Sequence, residues 1–364
     1  MNTLYFENIQ KNFGFGFMRL PMVGEEVDIP QTKEMVDLFL QNGFRYFDTA
    51  HGYIGGKSEL AIRECLSSRY PRESFILTNK LSGNYFDSQE EIRPLFQQQL
   101  DACGVEYFDF YLMHAMSAKG FARYKELHAF ETALELKEEG RIRHMGISFH
   151  DKAEVLDQIL TEYPQIEVVQ IQFNYVDYED ENVESRKCYQ VCRKHGKPVI
   201  VMEPVKGGSL VNLPQAAQRI FDKLEGGSNA SYAIRFAAGF EGMMMVLSGM
   251  SSLEQMKDNI SFMKDFQPLS QKEQEAVEKV RAIFRNQALI PCTGCRYCTE
   301  VCPQEIPIPD VFAALNAKRQ GQATDRNGIS KARNCVRCGQ CEAICPQNLN
   351  IRELLVVASE EMGD

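Results

Sequence analysis

The sequence predicts an α/β chain: a (β/α)8 barrel followed by a small, mainly helical module that holds metal. Three observations predict it. Eight short apolar, β-rich runs alternate with amphipathic helical stretches between residues 14 and 264, and eight such units in about 250 residues match a parallel barrel in size and count. The rival doubly wound sheet lacks its glycine-rich first turn, because Gly14-Phe15-Gly16 runs on into Phe17-Met18-Arg19 and no G-x-G-x-x-G stands in the chain. Finally, eight of the twelve cysteines lie from Cys292 onward.

The eight strands are expected at Phe15–Met22, Phe44–Ala50, Phe75–Leu81, Tyr107–Ala115, Ile142–Phe149, Glu167–Tyr175, Pro198–Glu203 and Met243–Gly249. Helical patterns follow at Gln31–Gln41, Lys57–Ser68, Ser88–Cys103 and Phe121–Glu139, among others. Gly43, Gly104, Gly140 and Gly196 sit at helix ends, where a left-handed glycine is expected. Met243, Met244 and Met245 open the last strand and read as core filling. Ser270 to Asn286 reads as one more helix belonging to the barrel, which places the boundary near Ala288 to Pro291: residues 1–287 form the barrel domain and 288–364 the module. Within the module, helical stretches are expected at Asp310–Gln320 and Ile351–Met362.

Composition narrows the function. Forty-four per cent of the 364 residues are apolar and 25% charged, so a sizeable core is expected. Forty basic against fifty acidic residues give a net charge of −10, which argues against nucleic acid or an anionic membrane as partner. No apolar run is long enough to span a membrane and Met1 to Asn12 lacks a secretory apolar segment, so a soluble, cytoplasmic protein is expected. In that compartment clustered cysteines point to metal ligation rather than disulfides.

The cysteines form two quartets of identical spacing. One is Cys292-x2-Cys295-x2-Cys298-x3-Cys302-Pro303; the other is Cys335-x2-Cys338-x2-Cys341-x3-Cys345-Pro346. This is the bacterial ferredoxin run, in which three cysteines wrap one [4Fe–4S] cluster and the fourth ligates the other cluster. Cys292, Cys295, Cys298 and Cys345 are therefore expected on one cluster, with Cys335, Cys338, Cys341 and Cys302 on the second. Zinc also uses C-x2-C pairs, but it gains nothing from the third regular step or the terminal Cys-Pro. The 32 residues between Cys302 and Cys335 favour a helical variety of ferredoxin-type domain. Lys318, Arg319, Arg326, Lys331, Arg333 and Arg337, against Asp325, form either a cation shell for a negative cluster or a solvated basic face. Of the other cysteines, Cys188 and Cys192 share a helix face, and with Cys65 and Cys103 they read as plain thiols.

Chemistry-bearing residues gather at the ends of the barrel strands, where barrel active sites form. Asp48-Thr49-Ala50-His51-Gly52-Tyr53 follows the second strand, Thr78-Asn79-Lys80 ends the third and Tyr111-Leu112-Met113-His114 ends the fourth. A lysine cation beside a tyrosine would stabilise the phenolate, an aspartate would keep the lysine charged, and a histidine could orient a substrate oxygen. These motifs resemble those of the aldo/keto reductase superfamily across about residues 14 to 264. The resemblance implies a catalytic tetrad of Asp48, Tyr53, Lys80 and His114. It also implies an NAD(P) cofactor and hydride transfer to the carbonyl of a small molecule, with Tyr53 donating the proton.

Cofactor positions are implied too. Ser148 and Gln170 match a nicotinamide-holding pair, although Phe149 stands where the family has Asn. Met202 stands where a tyrosine usually stacks on the nicotinamide. Gly16, Phe17 and Met18, in the first strand, are further cofactor positions. Ser248, Gly249 and Ser251 belong to an adenosine-phosphate loop, and Asn259 matches an adenine contact. Gly249, Ser252 and Gln255 stand where cations would clamp a 2′-phosphate, which leaves NAD and NADP both open.

Three functions remain. The chain is a carbonyl reductase whose clusters exchange electrons with a redox partner protein or a flavin, a reductase whose clusters are structural or redox-sensing, or an electron-transfer protein with the barrel as docking scaffold. Nicotinamide moves two electrons as hydride and a [4Fe–4S] cluster moves one, so a flavin would bridge them, yet no flavin site is marked in the sequence. The candidate substrate loops Ser82–Asp87, Met116–Arg123 and Lys206–Pro214 name no substrate.

Overall fold

The computed structural model describes residues 6, 9–224, 226–287, 289–321 and 329–362. Ala288, Asp325 and Arg326 lie outside the described residues. Eight parallel strands close a barrel: β1 (Phe13–Gly16), β2 (Tyr46–Asp48), β3 (Ile76–Leu81), β4 (Phe108–Met116), β5 (Ile142–Phe149), β6 (Val168–Gln172), β7 (Val199–Met202) and β8 (Met243–Ser248). Each strand pairs with its neighbours in sequence, and β1 closes the ring by pairing Gly14 with Tyr46 and Phe15 with Ser248. The fold class is the expected one.

Local chemistry accounts for the punctuation between strands. The helix Ile29–Gln41 starts on Asp28, whose carboxylate accepts from the Gln31 backbone, with proline in the first turn. The helix Ile92–Cys103 stops at Gly104, which takes φ +64°, a conformation that costs glycine least.

Inside the barrel, Tyr46, Phe110, Leu112, Val168, Ile200, Met244, Met245 and Leu247 pack into one buried cluster. Gly146 on β5 makes that packing possible. A Cβ there would lie 2.5 Å from Val168 Cγ1, 2.6 Å from Val168 O and 2.7 Å from Leu112 Cδ2. Gly146→Ala should therefore lower stability by about 1–3 kcal/mol through overpacking, read as a reduced urea midpoint with unchanged slope.

Three expected elements differ. The first strand ends at Gly16 rather than Met22, because Phe17 turns inward in a 3-10 turn (Phe17–Arg19) and packs 4.8 Å from the Phe15 ring. Met22 and Val23 fall in a small exposed two-stranded ribbon with Glu26–Val27. The single helix expected over Phe121–Glu139 is two, Ala118–Glu126 and Ala129–Glu138, broken where His128 adopts φ +50°. The stretch expected as Lys57–Ser68 is an α-helix only to Ile62, then widens to a π-turn over Arg63–Ser67.

The chain packs as two compact units, residues 1–204 with 230–270, and residues 205–229 with 271–364. The helix Gln271–Asn286, which the sequence assigned to the barrel, groups in the second unit and packs against Gln215–Phe221. The rest of that unit is held by Ile308–Arg319, Ile329–Ala332 and Ile351–Met362 around Val311, Phe312, Leu315, Leu355 and Ala358. Cys292, Cys302, Cys335 and Cys345 pack on this apolar cluster. Gly207, at φ +61°, fits against the first cysteine loop so closely that a Cβ would lie 2.2 Å from Thr293 O. Among the described residues no helix is long and apolar enough to cross a membrane.

Candidate functional site

Strand ends bring Asp48, Tyr53, Lys80 and His114 together. Lys80, one residue before the end of β3, is 1% exposed, so its ammonium must find partners inside the protein. It finds three: Nζ donates to Asp48 Oδ1 at 2.6 Å, to Thr49 O at 2.9 Å and to the Tyr53 hydroxyl at 3.2 Å. Burial pulls the lysine pKa down while Asp48 opposes it. Burial likewise pushes the Asp48 carboxyl up, against the Lys80 charge. Asp48 Oδ2 is buried with no hydrogen-bond donor among the described residues, so Lys80 is the group that compensates that charge. The His114 ring meets Tyr53 edge-on at 6.0 Å.

Burial and then the Lys80 cation push the His114 imidazole well below the ordinary histidine range. The fold therefore holds it neutral. Below about pH 6.5 the unfolded chain takes up a proton that the folded chain refuses, so stability falls with pH by up to about 1.4 kcal/mol per unit. His114→Gln should flatten that slope in urea titrations run at neutral and mildly acid pH; equal slopes in both proteins would count against it.

Sequence reasoning missed the side chains that support the tetrad. Glu59, buried in the helix Lys57–Ile62, takes the Asn79 amide on Oε1 at 2.8 Å and faces His51 Nδ1 with Oε2 at 2.8 Å. Asn79 Oδ1 in turn accepts from the Lys80 backbone N–H at 2.8 Å, and Gln99 Nε2 donates to Lys80 O at 2.9 Å. The Tyr111 hydroxyl donates to Gln99 Oε1 at 2.5 Å. The peptide groups on both sides of Lys80 are thus held by buried side chains. Ser82 was expected only as the first residue of a candidate substrate loop; its Oγ lies 2.6 Å from His114 Nδ1. The available signal was polar residues, Glu59 and Gln99, on the apolar stripes of amphipathic helices.

The expected cofactor positions line the same ring of strand ends. Ser148 on β5 and Gln170 on β6 are paired in register. Gln170 is 3% exposed and no donor among the described residues reaches its Oε1. A buried amide acceptor left alone costs about 1–3 kcal/mol, and a carboxamide N–H would satisfy it. Ser148 Oγ accepts from the Ala115 N–H at 2.8 Å, which leaves its own proton to give. Met202 ends β7, paired with Gln172. Gly16 ends β1; a Cβ there would come no closer than 3.6 Å to Ser248 O. Phe17 is buried and Met18 partly so, both in the turn after β1. Asn259 Nδ2 donates to Ser248 Oγ at 2.8 Å, Ser251 Oγ donates to Arg19 O at 2.9 Å, and Gly249 packs against the Arg19 side chain. Among the expected residues, Asn259 and Ser248 are thus tied to each other.

The cysteines of the module fall in two neighbourhoods. A cavity is lined by Cys302, Cys335, Cys338 and Cys341 together with Ile306 and Leu355. Burial raises the Cys298 thiol to about 12, with Cys295, Cys292 and Cys345 as its charged neighbours. Among the described residues no three His, Cys, Asp or Glu side chains close around a single metal ion. Of the basic residues, Arg319 pairs with Glu361 at 2.6 Å and Arg337 with Glu353 at 2.9 Å, whereas Lys331 and Arg333 are exposed. The remaining thiols, Cys65, Cys103, Cys188 and Cys192, are buried, and burial raises the pKa of each.

Comparison with known proteins matches these two sites to two families. Residues 12–282 match the aldo/keto reductase family and residues 291–349 the 4Fe-4S dicluster domain. Similar curated proteins include the NADH-specific methylglyoxal reductase of Escherichia coli (strain K12), 27% identical over 46% of this chain and 54% of that protein. An aldo-keto reductase of Mycobacterium avium (strain 104) is 30% identical over 36% and 44%. The chain spans about half the length of these relatives. Among solved structures, an aldo-keto reductase from Klebsiella pneumoniae in complex with NADPH superposes with TM-score 0.59 at 16% identity, covering 74% of this chain and 90% of that one. The chain belongs to the aldo/keto reductase family: residues 12–282 are its barrel, and residues 291–349 match the 4Fe-4S dicluster domain.

Proposed function

We propose that the barrel reduces the carbonyl of a small molecule to an alcohol, with Tyr53 as general acid. The observation that carries this reading is the buried Lys80 ammonium, shared between Asp48 at 2.6 Å and the Tyr53 hydroxyl at 3.2 Å. NAD(P)H, when bound, supplies the hydride that the carbonyl carbon accepts. Ser148 and Gln170 would hold its carboxamide, and Gly16 and Met202 would flank it. The cation at Lys80 favours the phenolate over the phenol, so the Tyr53 proton moves more readily to the carbonyl oxygen. His114 steadies that oxygen by a hydrogen bond. The oxygen gains a proton, the carbon a hydride, and the product is the alcohol.

The Escherichia coli relative is named for methylglyoxal, which makes small ketoaldehydes the first substrates to test. Loss of nicotinamide absorbance with such substrates, under NADH and under NADPH, tests the reading. Gly249, Ser252 and Gln255 offer no cation to a 2′-phosphate, so NADH should serve at least as well. No turnover with any small aldehyde or ketone would sink the proposal.

The clusters, on this reading, exchange single electrons with a redox partner protein, which both supplies and accepts them. Cys338 supports it: among the cysteines it alone is exposed, so the cluster it would ligate reaches the surface.

A further inference from the structure

We infer that Ser82 sets the tautomer of His114: the serine hydroxyl donates to Nδ1, which leaves the ring proton on Nε2. The inference rests on the proposed carbonyl reduction only for its consequence. The arrangement itself is read from the fold.

Leu81 of β3 and Met113 of β4 are paired in register, so Ser82, just past the end of β3, and His114 of β4 are the next residues along two adjacent strands. The Tyr124 hydroxyl fastens both, lying 2.6 Å from Leu81 O and 3.5 Å from His114 O. Ser82 Oγ and His114 Nδ1 then stand 2.6 Å apart. That is short for an imidazole N–H donating to oxygen, which sits at about 2.7–3.2 Å.

Counting protons gives the same answer. Ser82 is 7% exposed, and among the described residues its hydroxyl meets the His114 imidazole. If Nδ1 carried the proton, the serine proton would have no acceptor among the described residues. If the serine donates, both groups are satisfied. The ring stays neutral and Nε2–H faces outward as a donor. A substrate carbonyl oxygen then meets two donors, His114 Nε2 and Tyr53. The other tautomer would set a lone pair against that oxygen, so Ser82 acts on the reaction by positioning a proton and not by touching substrate.

Nitrogen-15 NMR of the full-length protein labelled at histidine tests this directly, because imidazole nitrogens with and without a proton resonate far apart. The His114 signals are those lost in His114→Gln. The expected result is a neutral ring with Nε2 protonated and Nδ1 accepting. Ser82→Ala should shift the ring toward a mixture of tautomers and lower kcat by roughly tenfold with KM little changed, the size of one hydrogen bond. Ser82→Thr, which keeps the hydroxyl, should restore both. Protonated Nδ1 in the wild type overturns the assignment without any serine variant having to fold, and so does an unchanged tautomer in folded Ser82→Ala. The NMR result stands even if the protein reduces no carbonyl, so the two readings fail separately.

Discussion

Replacing Lys80 with methionine should destabilise the barrel by about 3–5 kcal/mol and remove carbonyl reduction. The side chains of Lys80 and Asp48 are 1% and 4% exposed. Methionine fills the same space but leaves Asp48 buried with neither oxygen compensated, since no donor among the described residues reaches Oδ2 even in the native protein. Burial already pushes the Asp48 carboxyl up while Lys80 opposes it. Without Lys80 the folded pKa rises further above the unfolded value of about 3.9. A group shifted up in the fold favours folding below its unfolded pKa and loses that contribution as pH rises. The penalty of Lys80→Met should therefore be largest at neutral pH and shrink toward about pH 4. Asp48→Asn in the Lys80→Met background should recover much of the stability, because both charges are gone, yet none of the activity. Urea unfolding of the two variants across pH decides it. A Lys80→Met protein as stable as wild type at pH 7 would mean that the pair is not compensating buried charge.

The second large effect is expected in the cysteine module. Cys341 is buried on one wall of the cavity formed with Cys302, Cys335 and Cys338, while Gly207 lies against the loop that carries Cys292 and Cys295. Cys341→Ala should remove the second cluster, and Gly207→Ala the first, since a Cβ would press on Thr293 O from 2.2 Å. Each variant should lose about half the bound iron and half the absorbance near 400 nm, and should unfold more readily because ligand binding here is folding energy. Iron and sulfide analysis of anaerobically purified protein measures it. Full iron content in either variant would contradict the assignment of that quartet.

The strands were legible because each is a short apolar run bounded by turn residues, and seven of the eight both begin and end within about three residues of the expected limits. What stayed hidden depends on contacts between distant segments. Phe17 has the apolar character of a strand residue, and only its packing against Phe15 and Phe47 turns it into a 3-10 turn. The break at His128 carries no glycine or proline, so local propensity could not show it. In the site, Asp48, Tyr53, Lys80 and His114 were visible as motifs. Glu59, Gln99 and Ser82 were not, because their roles are hydrogen bonds to Asn79, Lys80 and His114 on other elements. The two cysteine quartets were readable because their spacing is local in sequence and needs no contact between distant segments.

The most direct test of the central claim is steady-state NAD(P)H oxidation by Tyr53→Phe beside the wild type, with the same small carbonyl substrate. The phenol oxygen, 3.2 Å from Lys80 Nζ, is the atom removed. If Tyr53 is the acid, kcat falls by at least about 100-fold while folding and cluster absorbance are unchanged. Turnover at the wild-type rate in Tyr53→Phe would contradict the account.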